Sequence, residues 1–152
     1  MMQDDIQPAL PAASDERTPD PRAEAFQGAR EARRNEVAED YVELIAELID
    51  AQGEARPVDI AAKLGVRVPT VTKTLDRLAR EGLITRAKYR SVFLTDAGRA
   101  LADECQRRHE IVLRFLLRLG LDAETAERDA EGIEHHVSER TLALFAEFAD
   151  RA

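Results

Sequence analysis

The order of four short segments between residues 58 and 94 restricts the fold of this chain more than any other feature. Apolar spacing predicts a short helix over residues 58–66 that ends in glycine, and a second helix over 69–82 that proline starts and glycine ends. Residues 83–88 and 91–94 have the pattern of two short strands. Two helices joined by a tight glycine-containing turn are a helix-turn-helix, and a hairpin directly after them makes a winged helix.

Helical periodicity continues on both sides of this unit. Apolar residues over 37–49 recur at the spacing of one helical face, and Gly53 ends that helix. Beyond the wing, helices are expected over 95–119, over 123–136 and after Ser138. Aromatic residues are 5% of the chain and Trp is absent, so the core is expected to consist of aliphatic side chains. The chain is therefore predicted to be mainly α, with a winged helix-turn-helix and a small two-stranded wing at its N-terminal end.

The distribution of prolines suggests where the folded part begins. Four of the six prolines fall within the first 21 residues, among acidic and small side chains that bury too little apolar surface to offset the entropy of ordering. We expect a disordered acidic and proline-rich tail over residues 1–25. A winged-helix DNA-binding domain would follow over 26–95, and a helical dimerisation and sensing domain over 96–152.

Cysteine usage and hydropathy bear on the compartment. Cys105 is the one cysteine of the chain and has no internal disulfide partner. No apolar run approaches the ~20 residues that a membrane span needs, and the N-terminus lacks a basic segment followed by an apolar one. We therefore expect a cytoplasmic protein that has no membrane partner.

The net charge of −8 conceals a strong asymmetry. Residues 56–90 contain nine basic and three acidic side chains, a balance of +6, so the remainder of the chain carries −14. A basic module enclosed by acidic sequence indicates one surface for a polyanion and another for cations.

The second helix of the motif has a polar face opposite its apolar one. Because a recognition helix enters the major groove with its N-terminal end first, short polar groups and cations near that end are candidates for DNA contacts. The candidates for base edges are Arg67, Pro69, Thr70 and Lys73, with Thr72 for a base or a phosphate. The candidates for phosphates are Arg77, Arg80, Lys88 and Arg90. The alternative is a solvated basic helix with no DNA function.

The segment Glu131-Gly132-Ile133-Glu134-His135-His136 is the most informative in the chain. On a helical wheel, Glu131, Glu134 and His135 share an arc of about 100°, whereas His136 leaves it. Spacing alone would also admit Glu127. Three residues in other helices could join this cluster. Asp40 lies on the flank of the first apolar stripe, Glu43 follows it, and His109 lies on an apolar face of the long helix.

A structural interpretation of these residues is also open. A buried histidine is often a hydrogen-bonded core residue, and acidic pairs three apart are usually solvated, at a cost of a few tenths of a kcal/mol. Four converging carboxylates would carry −4, however, which two divalent ions would neutralise. Carboxylates and imidazoles suit Mn²⁺, Fe²⁺, Co²⁺ or Zn²⁺, and the weight of carboxylate favours Mn²⁺. Cys105, one turn before His109, is a minor candidate for a sulfur ligand.

Together these residues resemble the manganese transport regulator branch of the diphtheria toxin repressor (DtxR) family. The likeness covers residues 36–148. The motifs that carry it are Asp40-Tyr41-Val42-Glu43, Pro69-Thr70-Val71-Thr72-Lys73, Tyr89-Arg90 with Phe93-Leu94-Thr95, Arg108-His109-Glu110, and Asp129-Ala130-Glu131-Gly132-Ile133-Glu134-His135-His136.

The resemblance implies a homodimer in which a winged helix binds palindromic double-stranded operators and an α-helical dimerisation and metal-binding domain follows. It implies two Mn²⁺ ions per subunit, with other divalent metals able to bind in vitro. The ligand positions it implies are Asp40, Glu43, His109, Glu131, Glu134 and His135, and Glu127 matches none. Iron-sensing relatives have methionine and cysteine where Asp40 and Glu131 stand. The tail has no role in the family, and the chain ends before the additional C-terminal domain of the iron-sensing branch.

The sequence therefore predicts a metal-activated repressor of manganese-uptake genes, with no catalytic residues and no organic substrate. Its response should weaken below about pH 6.5, because both histidines must be neutral to bind metal. A metal-independent winged-helix regulator that senses a small organic ligand is the first alternative. A two-metal hydrolase is the second, although no general base is evident outside the six proposed ligands.

Overall fold

A computed structural model describes residues 20–86 and 90–151. In these ranges the chain forms six helices and two strands. They are α1 (Pro21–Gln52), α2 (Pro57–Leu64), α3 (Val68–Arg80), β1 (Ile84–Arg86), β2 (Val92–Leu94), α4 (Asp96–Leu119), α5 (Ala123–Ile133) and α6 (Glu139–Asp150).

Helices α2 and α3 and the hairpin form the predicted winged helix, so this fold class is confirmed. Gly65 ends α2 in the left-handed region at φ 66°, which suits a residue without a Cβ and reverses the chain toward α3. The two strands are antiparallel, with Ile84 opposite Leu94, and Ala55 adds a bridge to Val92. Leu75, on the apolar face of α3, packs into a core shared with α2, the strands and α1.

The C-terminal half of α1 is the central helix of the molecule. Tyr41, Ile45 and Leu48 belong to the core of the winged helix, whereas Val42 and Ala46 pack against α4. Helix α1 is therefore held by both halves of the chain.

Helices α4, α5 and α6 enclose a second core. Val112 and Leu116 of α4 pack with Ala126 and Ala130 of α5 and with Leu142 of α6. The rings of Phe115 and Phe145 stack beside this core with their centroids 3.9 Å apart. None of the helices in the described ranges has the length and apolarity to cross a membrane.

The structure differs from the sequence-based expectation at two helix ends. Helix α1 begins at Pro21, inside the segment 1–25 that we expected to be disordered, because Asp20 caps its first turn and proline suits its first position. Residues 1–19 lie outside the described ranges. Helix α5 ends at Ile133 instead of His136, and residues 134–136 form a turn.

Gly98, in the first turn of α4, lies against the backbone of Leu83 at the start of the wing. A Cβ on this residue would overlap the carbonyl oxygen of Leu83 and crowd the side chain of Leu94. The same carbonyl accepts the backbone N–H of Thr95, the N-cap of α4. Only a residue without a side chain lets α4 start this close to the wing.

Gly98→Ala should lower the free energy of unfolding by about 2–3 kcal/mol, because the backbone of Leu83 must move away from its partners. Urea denaturation of the metal-free protein measures this loss. Gly28→Ala is the matched control, because a Cβ there meets nothing within 4 Å. A loss below about 0.5 kcal/mol for Gly98→Ala, the range of ordinary surface substitutions, would show that the backbone of Leu83 does not restrict this position.

Candidate metal centre and DNA-binding face

His109 of α4 faces two carboxylates from the end of α5. Its Nδ1 lies 2.5 Å from Oε2 of Glu134 and 3.7 Å from Oε1 of Glu131. One ligand atom from each of these three residues lies within 4.8 Å of the other two. An imidazole and two carboxylates at this spacing are a donor set for a divalent cation.

His135 forms a second group on the other side of Glu134. Its Nε2 lies 3.2 Å from Oδ1 of Asp40 and 3.7 Å from Oε1 of Glu134. The side chain of His135 is almost fully buried, and the Asp40 side chain is 44% exposed. The turn after α5 thus meets α1, so the two groups combine residues from three helices and a turn.

Glu134 joins the two groups, because each of its carboxylate oxygens faces a different histidine. Its side chain is 2% exposed. Oε2 is hydrogen-bonded to His109, whereas Oε1 is buried without a hydrogen-bond partner. A buried carboxylate oxygen without a donor is costly, and a cation bound between it and His135 would satisfy it. The donor set of His109, Glu131 and Glu134 therefore fits a divalent metal ion.

Glu43 of α1 is a further carboxylate that lies beside both groups. It lines two adjoining cavities, one next to His109 and the other next to His135, and Glu131 lines both as well. Burial, together with the nearby charges of Glu134 and Glu131, raises the pKa of Glu43 to about 7. A carboxyl group with this pKa loses its proton readily when a cation approaches.

The structure thus brings together the six candidate ligands. From the sequence, Glu131, Glu134 and His135 were placed on one arc of a helical wheel, and the other three came from two other helices. For two of them, the position in the fold differs from the predicted one. Glu134 and His135 lie on the turn after α5 and not on its helical face, so the wheel that grouped them with Glu131 does not describe them.

Sequence reasoning missed the role of Glu39 and set Glu127 aside. Oε2 of Glu39 lies 2.6 Å from Nδ1 of His135, and Oε1 of Glu127 lies 3.0 Å from Nε2 of His109. Each carboxylate accepts a hydrogen bond from one ring nitrogen and directs the other toward Glu134. Such outer carboxylates orient a ligand histidine and select its tautomer.

A signal for Glu39 was present in the sequence. Ala38, Val42 and Ala46 form an apolar stripe at spacings of four, which the face starting at Val37 did not include. Val42 and Ala46 of this stripe pack on α4, whereas Ala38 joins the winged-helix core. Glu39 and Glu43 each follow a member of the stripe by one position. Val37 itself is 41% exposed.

Both histidines are held in a strongly acidic environment. Burial alone would lower the pKa of His135, but hydrogen bonds with Asp40 and Glu39 outweigh it and raise the pKa to about 10. Burial likewise opposes protonation of His109, while its bonds to Glu134 and Glu127 raise its pKa. In the metal-free protein, protons balance part of the carboxylate charge.

Two neighbouring residues stay outside the centre. Burial, together with the nearby carboxylates of Glu39 and Glu43, raises the pKa of Cys105 to about 12, so its thiol keeps its proton. A protonated thiol is a poor metal ligand, which argues against the sulfur ligand considered from the sequence. His136 is half-exposed, and its Nε2 lies 3.2 Å from Glu36.

The candidate DNA contacts lie mostly on one exposed surface of α3 and the wing. Arg86 fixes α3 to β1, because its guanidinium donates to the carbonyl of Thr72 and lies 3.2 Å from Asp76. Thr72 is half-buried, and Arg77 is half-buried with its Nε 3.7 Å from Glu81. Lys88 lies outside the described residues. The exposed candidates are Arg67, Pro69, Thr70, Lys73, Arg80 and Arg90.

Two protein-family models match the two halves of the chain. Residues 35–92 match the iron dependent repressor N-terminal DNA binding domain. Residues 95–151 match the iron dependent repressor metal binding and dimerisation domain.

Individual relatives give a narrower placement. The transcriptional regulator MntR of Escherichia coli O6:H1 is 56% identical over 128 residues, which cover 84% of this chain and 83% of that protein. MntR of Salmonella typhimurium is 55% identical over the same length, covering 84% and 82%. The HTH-type regulator MntR of Bacillus subtilis is 41% identical over 100 residues, covering 66% and 70%.

Solved structures agree with this placement. A manganese-dependent transcriptional repressor in complex with manganese has a TM-score of 0.67 at 31% identity, over 74% of this chain and 52% of that one. The manganese regulator SloR has a TM-score of 0.64 at 30% identity, over 73% and 52%. This chain spans about half the length of those two proteins.

These matches favour neither a metal-independent regulator nor a hydrolase. They agree with a centre of carboxylates and imidazoles that lies where α1 meets α4, α5 and the turn after α5. The chain therefore belongs to the iron-dependent repressor family, on its MntR branch, and is a homodimeric, metal-responsive transcriptional repressor.

Proposed function

We propose that this chain binds two Mn²⁺ ions per subunit and represses manganese-uptake genes when they are bound. The ligands in this proposal are Asp40, Glu43, His109, Glu131, Glu134 and His135. Residues 26–95 bind DNA, and residues 96–152 dimerise and complete the metal centre. Other divalent ions bind the same donors in vitro. The compartment is the cytoplasm, where the chromosome lies.

The observation that carries the proposal is the position of Glu134. Its buried carboxylate has one oxygen toward His109 and the other toward His135, and the second of these has no hydrogen-bond donor. Burial raises the pKa of this carboxyl group, so the metal-free centre holds an unfavourable charge. A group on each side of a shared carboxylate supports two ions.

The types of ligand support manganese. Four of the six proposed ligands are carboxylates and two are imidazoles, and the buried thiol of Cys105 stays protonated. Hard oxygen donors suit Mn²⁺ better than thiolate-rich sites do. Bound metal supplies the positive charge that offsets the mutual repulsion of Asp40, Glu43, Glu131 and Glu134.

The position of α1 explains how the centre controls DNA binding. Asp40 and Glu43 lie on α1, in the same stretch as Tyr41 and Ile45 of the winged-helix core. The remaining proposed ligands lie on α4, on α5 and on the turn after it. When all six hold metal, the DNA-binding domain is fixed on the dimerisation domain. The two α3 helices of the dimer then keep a separation of ~34 Å, which matches half-sites one turn apart on a palindrome.

The face of α3 supplies the DNA contacts in this proposal. Thr70 and Lys73 are exposed near its N-terminal end and suit base edges in the major groove, as do Arg67 and Pro69. Thr72 suits a base or a phosphate. The phosphate contacts are Arg77, Arg80, Lys88 and Arg90. To reach a phosphate, the side chain of Arg77 has to break its ion pair with Glu81.

Glu134→Gln should lower Mn²⁺ affinity by at least about 100-fold, because an amide shares neither the charge nor the two acceptor oxygens of the carboxylate. Titration calorimetry measures the affinity and the number of ions. A mobility-shift assay with an uptake-gene promoter fragment, with Mn²⁺ or EDTA, measures the coupling. His136→Gln is the matched control and should behave as wild type. Operator binding that ignores both Mn²⁺ and EDTA would refute the proposed function.

Mn²⁺ binding should release protons and become tighter as pH rises. His135 has a pKa of about 10 in the metal-free fold and 6.5 as the ordinary value. The stability it contributes is therefore complete below pH 6.5 and is lost as pH rises toward 10. In EDTA the free energy of unfolding should fall across this window, while Mn²⁺ affinity rises. Glu39→Gln should flatten both trends, and identical slopes in the two proteins would contradict the role of Glu39.

Lys73→Ala should weaken operator binding by about 10- to 100-fold at saturating Mn²⁺, as expected for loss of a base-edge contact. Fluorescence anisotropy at two salt concentrations measures it. Arg128→Ala makes the same change of charge on α5 and should leave the affinity within about twofold, because long-range charge is screened. An equal effect of the two substitutions would argue against α3 as the recognition helix.

A further inference from the structure

The turn that carries Glu134 and His135 is held by a residue that is not a proposed ligand. Arg108 of α4 directs its guanidinium at the backbone of this turn. Its Nε and Nη2 donate to the carbonyl of Glu134 at 3.0 and 2.7 Å, and Nη2 donates to the carbonyl of Val137 at 2.7 Å. Nη1 lies 3.0 Å from Oε1 of Glu139, in the first turn of α6.

These bonds fill a need that the end of α5 creates. The last carbonyls of a helix lack internal partners, and the negative end of the helix dipole favours a cation. Helix α5 has no basic residue in its last turn, and it carries Glu131 there instead. The carbonyl of Ala130 accepts from the backbone N–H of Glu134, and that of Ile133 accepts from His136. Arg108 supplies donors for the carbonyl of Glu134, the C-cap of α5, and for that of Val137, and it brings the positive charge that the last turn lacks.

The guanidinium reaches the backbone of Glu134 and leaves its side chain free. Oε2 of Glu134 keeps its bond to His109, and Oε1 has no hydrogen-bond partner. The side chain of Arg108 is 18% exposed, so little water competes for its bonds. Because Arg108 precedes His109 on α4, it fixes the distance between two of the proposed ligands without occupying the site.

We propose that Arg108 is a positioning residue for the metal centre. It pre-organises the turn 134–137, so that Glu134 and His135 face His109 and Asp40 before any ion arrives. Without this clamp the turn samples other conformations. Metal binding must then order the turn, and this entropic cost lowers the affinity for metal. The inference rests on the proposed function, since it concerns the same six ligands.

The test compares Arg108→Lys with Arg107→Ala. Lysine keeps the charge but lacks the planar fork that serves both carbonyls and Glu139 together. Arg107 is the adjacent residue and also binds Glu139, at 2.9 Å, but it contacts no carbonyl of the turn. Arg107→Ala therefore removes an ion pair with α6 and leaves the clamp intact. Glu139→Gln removes the carboxylate partner of both arginines and serves as a second control.

Two measurements are made on each variant of the full chain. Hydrogen exchange of the amides of residues 134–137 in EDTA reports on the turn without metal, and calorimetry reports Mn²⁺ affinity. We expect Arg108→Lys to raise the exchange rates and to lower Mn²⁺ affinity by at least about tenfold, within the range known for groups that orient metal ligands. Arg107→Ala and Glu139→Gln should stay within about threefold of wild type in both.

Wild-type Mn²⁺ affinity in Arg108→Lys would overturn the inference, and so would an equal loss in Arg107→Ala. Weaker binding without faster exchange would overturn it too, because Arg108 would then affect the metal site by a route other than the ordering of the turn. The exchange arm needs no metal. If the wild-type chain bound no Mn²⁺, the proposed function would fail, while faster exchange in Arg108→Lys would still establish the clamp.

Discussion

A single buried carboxylate, that of Glu134, is the group on which the rest of this structure depends. It lies between two histidines that come from α4 and from the turn after α5, and one of its oxygens lacks a donor. Buried charge of this kind is costly unless it is compensated. In the metal-free chain, protons on the histidines supply part of the compensation. A cation supplies it more completely, and this difference is what allows a metal to select one arrangement of the domains.

The coupling uses a helix that belongs to both domains. One side of α1 packs in the core of the winged helix through residues such as Ile45, while Val42 and Ala46 pack on α4. Glu39 and Asp40 of α1 lie within 3.2 Å of the imidazole of His135. A change in charge compensation at this point therefore acts on a rigid element, which holds the recognition helix α3 through the same core.

Much of this was accessible from residue patterns. Glycine stops, proline starts and apolar spacing predicted α2, α3 and the wing, because local propensities and burial agree in those segments. Residue patterns also put forward candidate ligands, but the set of six came from the family resemblance and stays a prediction. The end of α5 was not predicted, since the helical pattern continues through His136 and only the contacts of Arg108 with residues 134–137 favour a turn there. Glu39 was missed because the apolar face that starts at Val37 left out the stripe of Ala38, Val42 and Ala46, and because periodicity does not show that its partner lies 96 positions away.

The sequence by itself determined the order of the elements and the types of donor available to a metal. It also determined the contrast between the basic segment 56–90 and the acidic remainder of the chain. These depend on local periodicity and composition, which each segment carries alone. Only the tertiary structure decided which oxygen of Glu134 faces which histidine and which outer carboxylates orient the imidazoles. It also decided which arginine holds the turn. Such choices depend on the packing of α1, α4 and α5 against one another, and side chains from distant segments share hydrogen bonds only after that packing has excluded water.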